Sequence, residues 1–278
     1  MKKIYSASPL PFQGQKRRFL SEFKRALNEF PNATCFVDLF GGSGLLSHTA
    51  KRYRPDARVI YNDFDDYHLR LANIGRTNML LEELRGIVSG VPAKQKLPKD
   101  VKDSVVSRVK IEEKEYGYVD YITLSSSLLF SMNYAKDIKS FEKETFYNKI
   151  ITGEYTCDDY LDGIEVVKSD YLDLFNKYKN MPDVVFIVDP PYLSTDVSTY
   201  GCNYWRLSDY LNVLNVLDGT SYIYFTSNKS CVLELCEWFD KSKYLGNPFD
   251  EAKCVTLTAK ISPNKATYKD IMLYKKVG

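Results

Sequence analysis

Apolar positions along the chain fall into two alternating patterns. Short runs rich in β-branched and aromatic residues, at Thr34–Leu39, Arg58–Tyr61, Glu165–Lys168, Val184–Val188 and Ser221–Phe225, have the composition of strands. Between them, apolar residues recur at helical spacing over Gln15–Phe30, Leu45–Arg52, Tyr67–Leu84, Ser208–Leu217 and Cys231–Phe239. Such alternation predicts βαβ units on a mainly parallel sheet. Two further runs, Cys254–Lys260 and Ile271–Tyr274, flank the turn-rich segment SPNKAT and predict a terminal hairpin. The expected fold is therefore α/β, a Rossmann-like sheet with an antiparallel C-terminal edge.

The second and third strands are separated by about 100 residues, whereas a crossover needs only about a dozen. An inserted subdomain follows, expected over 80–163 and mainly helical, with a catalytic domain formed by 1–79 and 164–278. The insert is richer in Lys, Ser and Tyr than in the Val and Ile of the flanking strands.

Charge narrows the classes of partner. The 38 basic and 36 acidic residues leave a net charge of +2, so any nucleic-acid surface has to be a local patch. The 22 Tyr and 15 Phe can serve as stacking faces or as core, and composition does not separate the two. Six cysteines without a C-x-x-C pair read as structural thiols, and two histidines without clustered ligands give no support for a metal site or a Cys/His pair. The N-terminus lacks an apolar stretch after its lysines, and no run approaches 18 apolar residues. A soluble cytoplasmic protein with no metal and no membrane contact is expected.

Three segments carry chemistry. FVDLFGGSG follows a strand and opens a helix, so Gly41, Gly42 and Gly44 allow a tight turn and close approach of a ligand, with Asp38 at the strand's end. Its spacing departs from G-x-G-x-x-G, which disfavours a pyrophosphate cofactor. VIYNDFDD then places Asp63 at the end of the second strand, where a carboxylate can accept both hydroxyls of a ribose. Together these favour an adenosyl ligand. The third segment, VVFIVDPPY, is an apolar strand stopped by Asp189, Pro190, Pro191 and Tyr192. An aromatic amine is a poor nucleophile because its lone pair is delocalised into the ring. The Asp189 carboxylate and the Pro190 carbonyl can each accept one of its N–H groups and free that lone pair, while Tyr192 stacks on a flipped base.

These segments, in this order, resemble the Dam-type, alpha-class N6-adenine DNA methyltransferases over nearly the whole chain. The resemblance implies S-adenosyl-L-methionine as cofactor, double-stranded DNA as partner, and site-specific transfer to the N6 amine of a flipped adenine by direct in-line displacement. It implies Lys16 in PFQGQK for the methionine carboxylate with Phe12 nearby, Phe40 beside the cofactor, Asp170 in VVKSDYLDLF at the cofactor's adenine, and Tyr171 or Leu172 lining it. Tyr200 and Trp205 fall where related enzymes carry aromatics near the flipped base, and Asn228 ends a segment similar to the family's later Ser-Asn strand. It also implies that the insert recognises the target, and that the enzyme is prokaryotic or phage-encoded and a monomer or weak dimer. No Arg occurs between Arg108 and Arg206, so an insert that reads bases has to use Lys, Asn, Ser or Tyr. Lys136, Lys139, Lys143 and Lys149 are candidates for phosphate contact. RNA adenine methylation, DNA cytosine-N4 methylation and a catalytically inactive DNA-binding relative share parts of this pattern.

Overall fold

The computed structural model describes residues 3–130, 133–192, 205–242, 246–260 and 267–277. The chain divides into two compact units, one of residues 1–7, 15–65 and 160–278, the other of residues 8–14 and 66–159.

The first unit is built on a seven-stranded sheet of order β3-β2-β1-β4-β5-β7-β6. Its strands are β1 (Cys35–Asp38), β2 (Arg58–Asn62), β3 (Glu165–Val167), β4 (Val184–Val188), β5 (Tyr222–Ser227), β6 (Lys253–Lys260) and β7 (Thr267–Lys275). β1 to β5 pair in parallel, and β7 runs antiparallel between β5 and β6. The expected α/β fold with an antiparallel C-terminal edge is the observed one. Strand order reverses between β1 and β4, and crevices for ligands in open α/β sheets lie at such a switch, beyond the strands' carboxyl ends.

Helices cover both faces. Phe36, Val59, Val185, Ile187, Ile223 and Phe225 pack against α1 (Leu20–Asn28) and α2 (Leu45–Tyr53). Val37, Ile60, Phe186, Val188, Tyr222 and Tyr224, of opposite parity, pack against α8 (Tyr171–Tyr178), α9 (Leu207–Leu217) and α10 (Val232–Ser242). Burial on both faces is why these strands read as continuous apolar runs. α8 is absent from the sequence expectation. It is short, and its buried stripe consists of only Leu174, Phe175 and Tyr178. The first helix also starts later than expected, because Arg17–Phe19 form a 3-10 turn ahead of Leu20.

The second unit contains α3 (Tyr67–Ala72), α4 (Ile74–Ile87), α5 (Lys99–Tyr116), α6 (Tyr121–Leu128) and α7 (Ile138–Lys143) around a core that includes Leu80, Leu84, Val105, Val109, Leu124 and Phe146. The sequence reading begins the insert at residue 80; the compact unit begins at Asp66. Arg70 explains the difference. Its buried guanidinium pairs with Asp120 (3.1 Å) and donates to the Pro11 carbonyl (2.9 Å), binding α3 and the segment 8–14 to α6. The single helix expected over Tyr67–Leu84 is broken at Asn73, whose side chain donates to the Leu69 carbonyl (2.8 Å).

Candidate active site

At the end of β1 the chain turns through Leu39–Ser43 into α2. Gly42 and Gly44 have φ of 50° and 71°, a left-handed backbone that glycine adopts without strain. Gly41 is glycine for a different reason. A Cβ there would lie 2.2 Å from two ring carbons of Tyr61 on the neighbouring strand and 2.9 Å from the Asn62 carbonyl. The Tyr61 hydroxyl in turn donates to the Gly42 carbonyl (2.7 Å), so β2 supplies the floor on which the turn rests.

Asp38 closes β1 with its carboxyl buried. The Ser47 hydroxyl donates to one oxygen (2.6 Å), and the other, Oδ1, has no hydrogen-bond partner. Burial, reinforced by the nearby charge of Asp189, pushes this carboxyl up to about 7 against the Ser47 hydrogen bond and Lys16, which act to lower it.

Asp189 stands at the matching position after β4, its backbone constrained by Pro190 and Pro191. Its Oδ2 is 2.5 Å from the Lys16 ammonium, which also lies 5.5 Å from the Tyr192 ring centre and 5.9 Å from that of Phe225. Burial raises the Asp189 carboxyl above the ordinary carboxylate range, and the Lys16 charge opposes that rise. Lys16 thus pairs with Asp189 and acts at longer range on Asp38 and on Asp270 of β7, whose carboxyl burial raises and Lys16 and Arg18 lower.

β2 ends one residue before Asp63, which is fully buried and donates its backbone N–H to the Val167 carbonyl (2.8 Å). Asp170 begins α8 and accepts the Leu172 N–H (2.8 Å), so this carboxylate also caps the helix. Tyr171 packs against Phe40 (4.9 Å between ring centres) and stacks on Trp205 (5.6 Å, 21°), which also meets Tyr210 (5.1 Å). Trp205 therefore joins Phe40 and Tyr171, two residues expected beside the cofactor. Asn228 accepts the Lys269 N–H through its side chain (2.7 Å) and donates its own backbone N–H to the Lys269 carbonyl (2.9 Å), extending the β5–β7 ladder. Phe12 belongs to the other unit, with its ring edge-on to Tyr67 (5.6 Å). Tyr200 lies outside the described residues. Among the described residues no group of three His, Cys, Asp or Glu side chains could hold a metal ion, and no helix is long and apolar enough to cross a membrane.

The family model for D12 class N6 adenine-specific DNA methyltransferases matches residues 12–245. The chain belongs to this family. A Haemophilus influenzae protein provisionally named a methyltransferase is 36% identical over 282 residues, which cover 99% of this chain and 94% of that protein. Among solved structures, a precorrin-6y C5,15-methyltransferase from Geobacter metallireducens aligns over 99% of this chain and 100% of its own at 8% identity, with a TM-score of 0.38. That last likeness is too slight to carry an argument.

Sequence reading missed one residue that organises this candidate site of the D12 methyltransferase. Asn62 is buried, and its side-chain amide donates to the carbonyls of Leu39 and Ser169 (3.0 Å each) while its oxygen accepts the Ser169 N–H (3.0 Å). Its backbone carbonyl also accepts the Gly41 N–H (3.3 Å). One side chain thereby joins the end of β1, the end of β2 and the loop leading to Asp170. Its position just before an acid at the end of a strand was the available signal. Asn62→Ala should lower unfolding free energy by about 1–3 kcal/mol through the buried groups it leaves unpaired, measured by urea denaturation. Asn62→Asp, which keeps the acceptor and loses the donors, should not restore it.

Proposed function

We propose that this methyltransferase moves the methyl group of S-adenosylmethionine to the N6 amine of an adenine rotated out of duplex DNA. The observation that carries the reading is the end of β4, where two prolines hold the Asp189 carboxylate beside a lysine at the sheet's switch point. The Asp189 carboxylate and the Pro190 carbonyl each accept one amine N–H, drawing the nitrogen's lone pair out of the ring. Once the nitrogen has been alkylated it is cationic and acidic, and Asp189 accepts the proton it sheds. Tyr192 offers a ring face to the extruded base, a contact worth about 1–3 kcal/mol. Positioning of this kind can contribute about 7–11 kcal/mol to an in-line transfer.

The residues present suit the cofactor. S-adenosylmethionine supplies an electrophilic methyl on a sulfonium, together with an ammonium, a carboxylate and an adenosine. Asp38 has a buried oxygen lacking a hydrogen-bond donor, which an ammonium would satisfy. Lys16 offers a cation for the carboxylate, Asp63 an acceptor for the ribose, and Phe40, Tyr171 and Asp170 the surroundings of the nucleobase. Gly41, Gly42 and Gly44 shape the turn against which the ligand would rest.

Purified protein given labelled S-adenosylmethionine and DNA should label adenine at N6. Single-molecule sequencing of DNA from a host expressing the chain should show the same base and its sequence context. Label on cytosine alone, or in RNA alone, would overturn the substrate assignment, and no transfer would favour an inactive relative.

Asp38 gives this reading a pH signature. Its carboxyl is raised from an ordinary 3.8 to about 7, so below that value the ligand-free fold holds it neutral, and an ammonium partner needs it charged. Cofactor affinity should therefore climb with pH between about 6 and 8, by calorimetry, and Asp38→Asn should flatten the climb. Stability of the ligand-free protein carries the opposite sign. The folded chain holds this proton more tightly than the unfolded one, so the contribution is fully present below 3.8 and is lost as pH rises to about 7.

A further inference from the structure

His48 is fully buried on α2, just beyond the glycine turn, and its two ring nitrogens have different partners. Nε2 accepts the Tyr5 N–H (3.1 Å) and so carries no proton. The neutral ring's proton therefore sits on Nδ1, which donates to the Tyr160 carbonyl (2.7 Å). Burial lowers the His48 pKa, and the charges of Arg52 and Lys24 add to it against the Tyr160 carbonyl, so the fold holds the ring neutral. The imidazole also stacks on the Tyr160 ring (4.8 Å between centres, 13°), and the Tyr5 ring meets both edge-on (5.3 and 5.0 Å).

Tyr160, itself buried, is thereby fixed through its carbonyl and its ring. Its hydroxyl donates to the Ser43 carbonyl (2.9 Å), in the middle of the glycine turn. The Tyr61 hydroxyl already holds the preceding carbonyl, that of Gly42. A carbonyl and the next N–H share one rigid peptide plane, so hydroxyls on successive carbonyls set the planes of two successive peptides. Glycines on either side leave those planes free to turn, and an outside hold is what fixes them. The Gly44 N–H, opposite the Ser43 carbonyl, is thus directed onto the Gly41 carbonyl (2.7 Å), and the Gly44 carbonyl accepts the His48 N–H (2.8 Å) as α2 begins. Packing brackets the turn in the same way, since a Cβ on Gly44 would lie 3.4 Å from Leu161 Cδ2 and 3.4 Å from Tyr61 Cζ. One side of the turn rests on β2 and the other on residues 160 and 161.

We propose that Tyr160 is a positioning residue for cofactor binding, its hydroxyl holding the Ser43–Gly44 peptide in the orientation that S-adenosylmethionine meets, with neutral His48 holding Tyr160 in turn. The inference rests on the proposed cofactor and extends its support to two residues 112 positions apart. An apolar side chain would fill the space at position 48 as well as a histidine does. What histidine adds is a pair of opposed hydrogen bonds, an acceptor towards residue 5 and a donor towards residue 160.

The test uses the full chain and S-adenosylmethionine, by titration calorimetry at about pH 8, where Asp38 is charged and His48 neutral, with urea denaturation alongside. Tyr160→Phe keeps the stacked ring and removes only the hydroxyl. It should weaken binding about three- to tenfold with the stoichiometry unchanged. A merely structural role would do the reverse, lowering the folded fraction and the stoichiometry while folded molecules bind as tightly as the wild type. At position 48, Asn and Leu have nearly the same shape and neither reaches the place of Nε2, but only Asn keeps a donor near the place of Nδ1. His48→Asn should bind within about twofold of wild type, and His48→Leu as weakly as Tyr160→Phe. The Leu and Phe changes together should lose no more than either alone, as residues acting in series do. Wild-type affinity in Tyr160→Phe, with the wild type methylating DNA, overturns the inference and leaves the proposed function standing. Equal losses in His48→Asn and His48→Leu overturn the part given to His48. Weakened binding in Tyr160→Phe beside a wild type that methylates no DNA supports the hold on the turn and refutes the proposed substrate. A wild type that does not bind S-adenosylmethionine removes the proposed function and this inference with it.

Discussion

Asp189→Ala should reduce methyl transfer by at least about a hundredfold, and towards a thousandfold, with cofactor affinity within a few-fold of wild type. A preorganised acceptor acts where positive charge develops, and the amine nitrogen gains that charge only as the methyl group arrives. The loss should therefore fall on the single-turnover rate rather than on binding. The alanine also removes one ion-pair partner of the half-buried Lys16 ammonium, 2.5 Å away. Asp189→Asn separates the two effects, because it keeps the volume and one acceptor while adding an N–H that opposes the substrate amine. Rapid-quench methylation with a duplex substrate and calorimetry with S-adenosylmethionine measure each side. Turnover of Asp189→Ala within tenfold of wild type would sink the acceptor role.

Gly41→Ala should be the most damaging single methyl group that can be added to the site. The new carbon would sit 2.2 Å from the Tyr61 ring, and that ring cannot withdraw, since it is fully buried in β2 and its hydroxyl is tied to the Gly42 carbonyl. The turn has to move instead, carrying Gly42, Gly44 and the start of α2. Overpacking of this kind costs about 1–3 kcal/mol, and displacement of backbone proposed to line the cofactor should weaken binding by about tenfold or more. Urea denaturation and calorimetry read the two losses. Tyr61→Ala placed behind it removes the clash, so the double variant should lose less than the sum of the two singles. Strict additivity would mean that the close approach of Gly41 to Tyr61 is not what the glycine serves.

Much of the fold was legible because parallel strands covered by helices on both faces leave unbroken apolar runs, as in VVFIV at β4. α8 was not, since eight residues with three buried positions give too short a period to separate from a loop. The start of the second unit was hidden for another reason. It depends on the Arg70–Asp120 pair, which joins residues 50 positions apart and leaves no periodic trace. The same division holds at the candidate site. That Asp189 ends a strand can be read from Asp-Pro-Pro-Tyr, but its pairing with Lys16 brings together opposite ends of the sequence. Asn62 shows the point most clearly: its place before an acid at a strand's end was legible, but its amide reaches Ser169 across 107 residues.

The contact between Lys16 and Asp189 bears on the order of events. The Lys16 ammonium has three N–H donors, and on the proposed assignment the cofactor's carboxylate and Asp189 would share them. In the ligand-free protein Lys16 draws electron density from Asp189 Oδ2, which makes that oxygen a weaker acceptor for an arriving amine. A cofactor carboxylate sharing the ammonium would weaken its hold on Asp189 and make that oxygen a better acceptor for the amine. On the proposed assignment the salt bridge would couple the two ligands, so that a base is held better once the methyl donor is aboard.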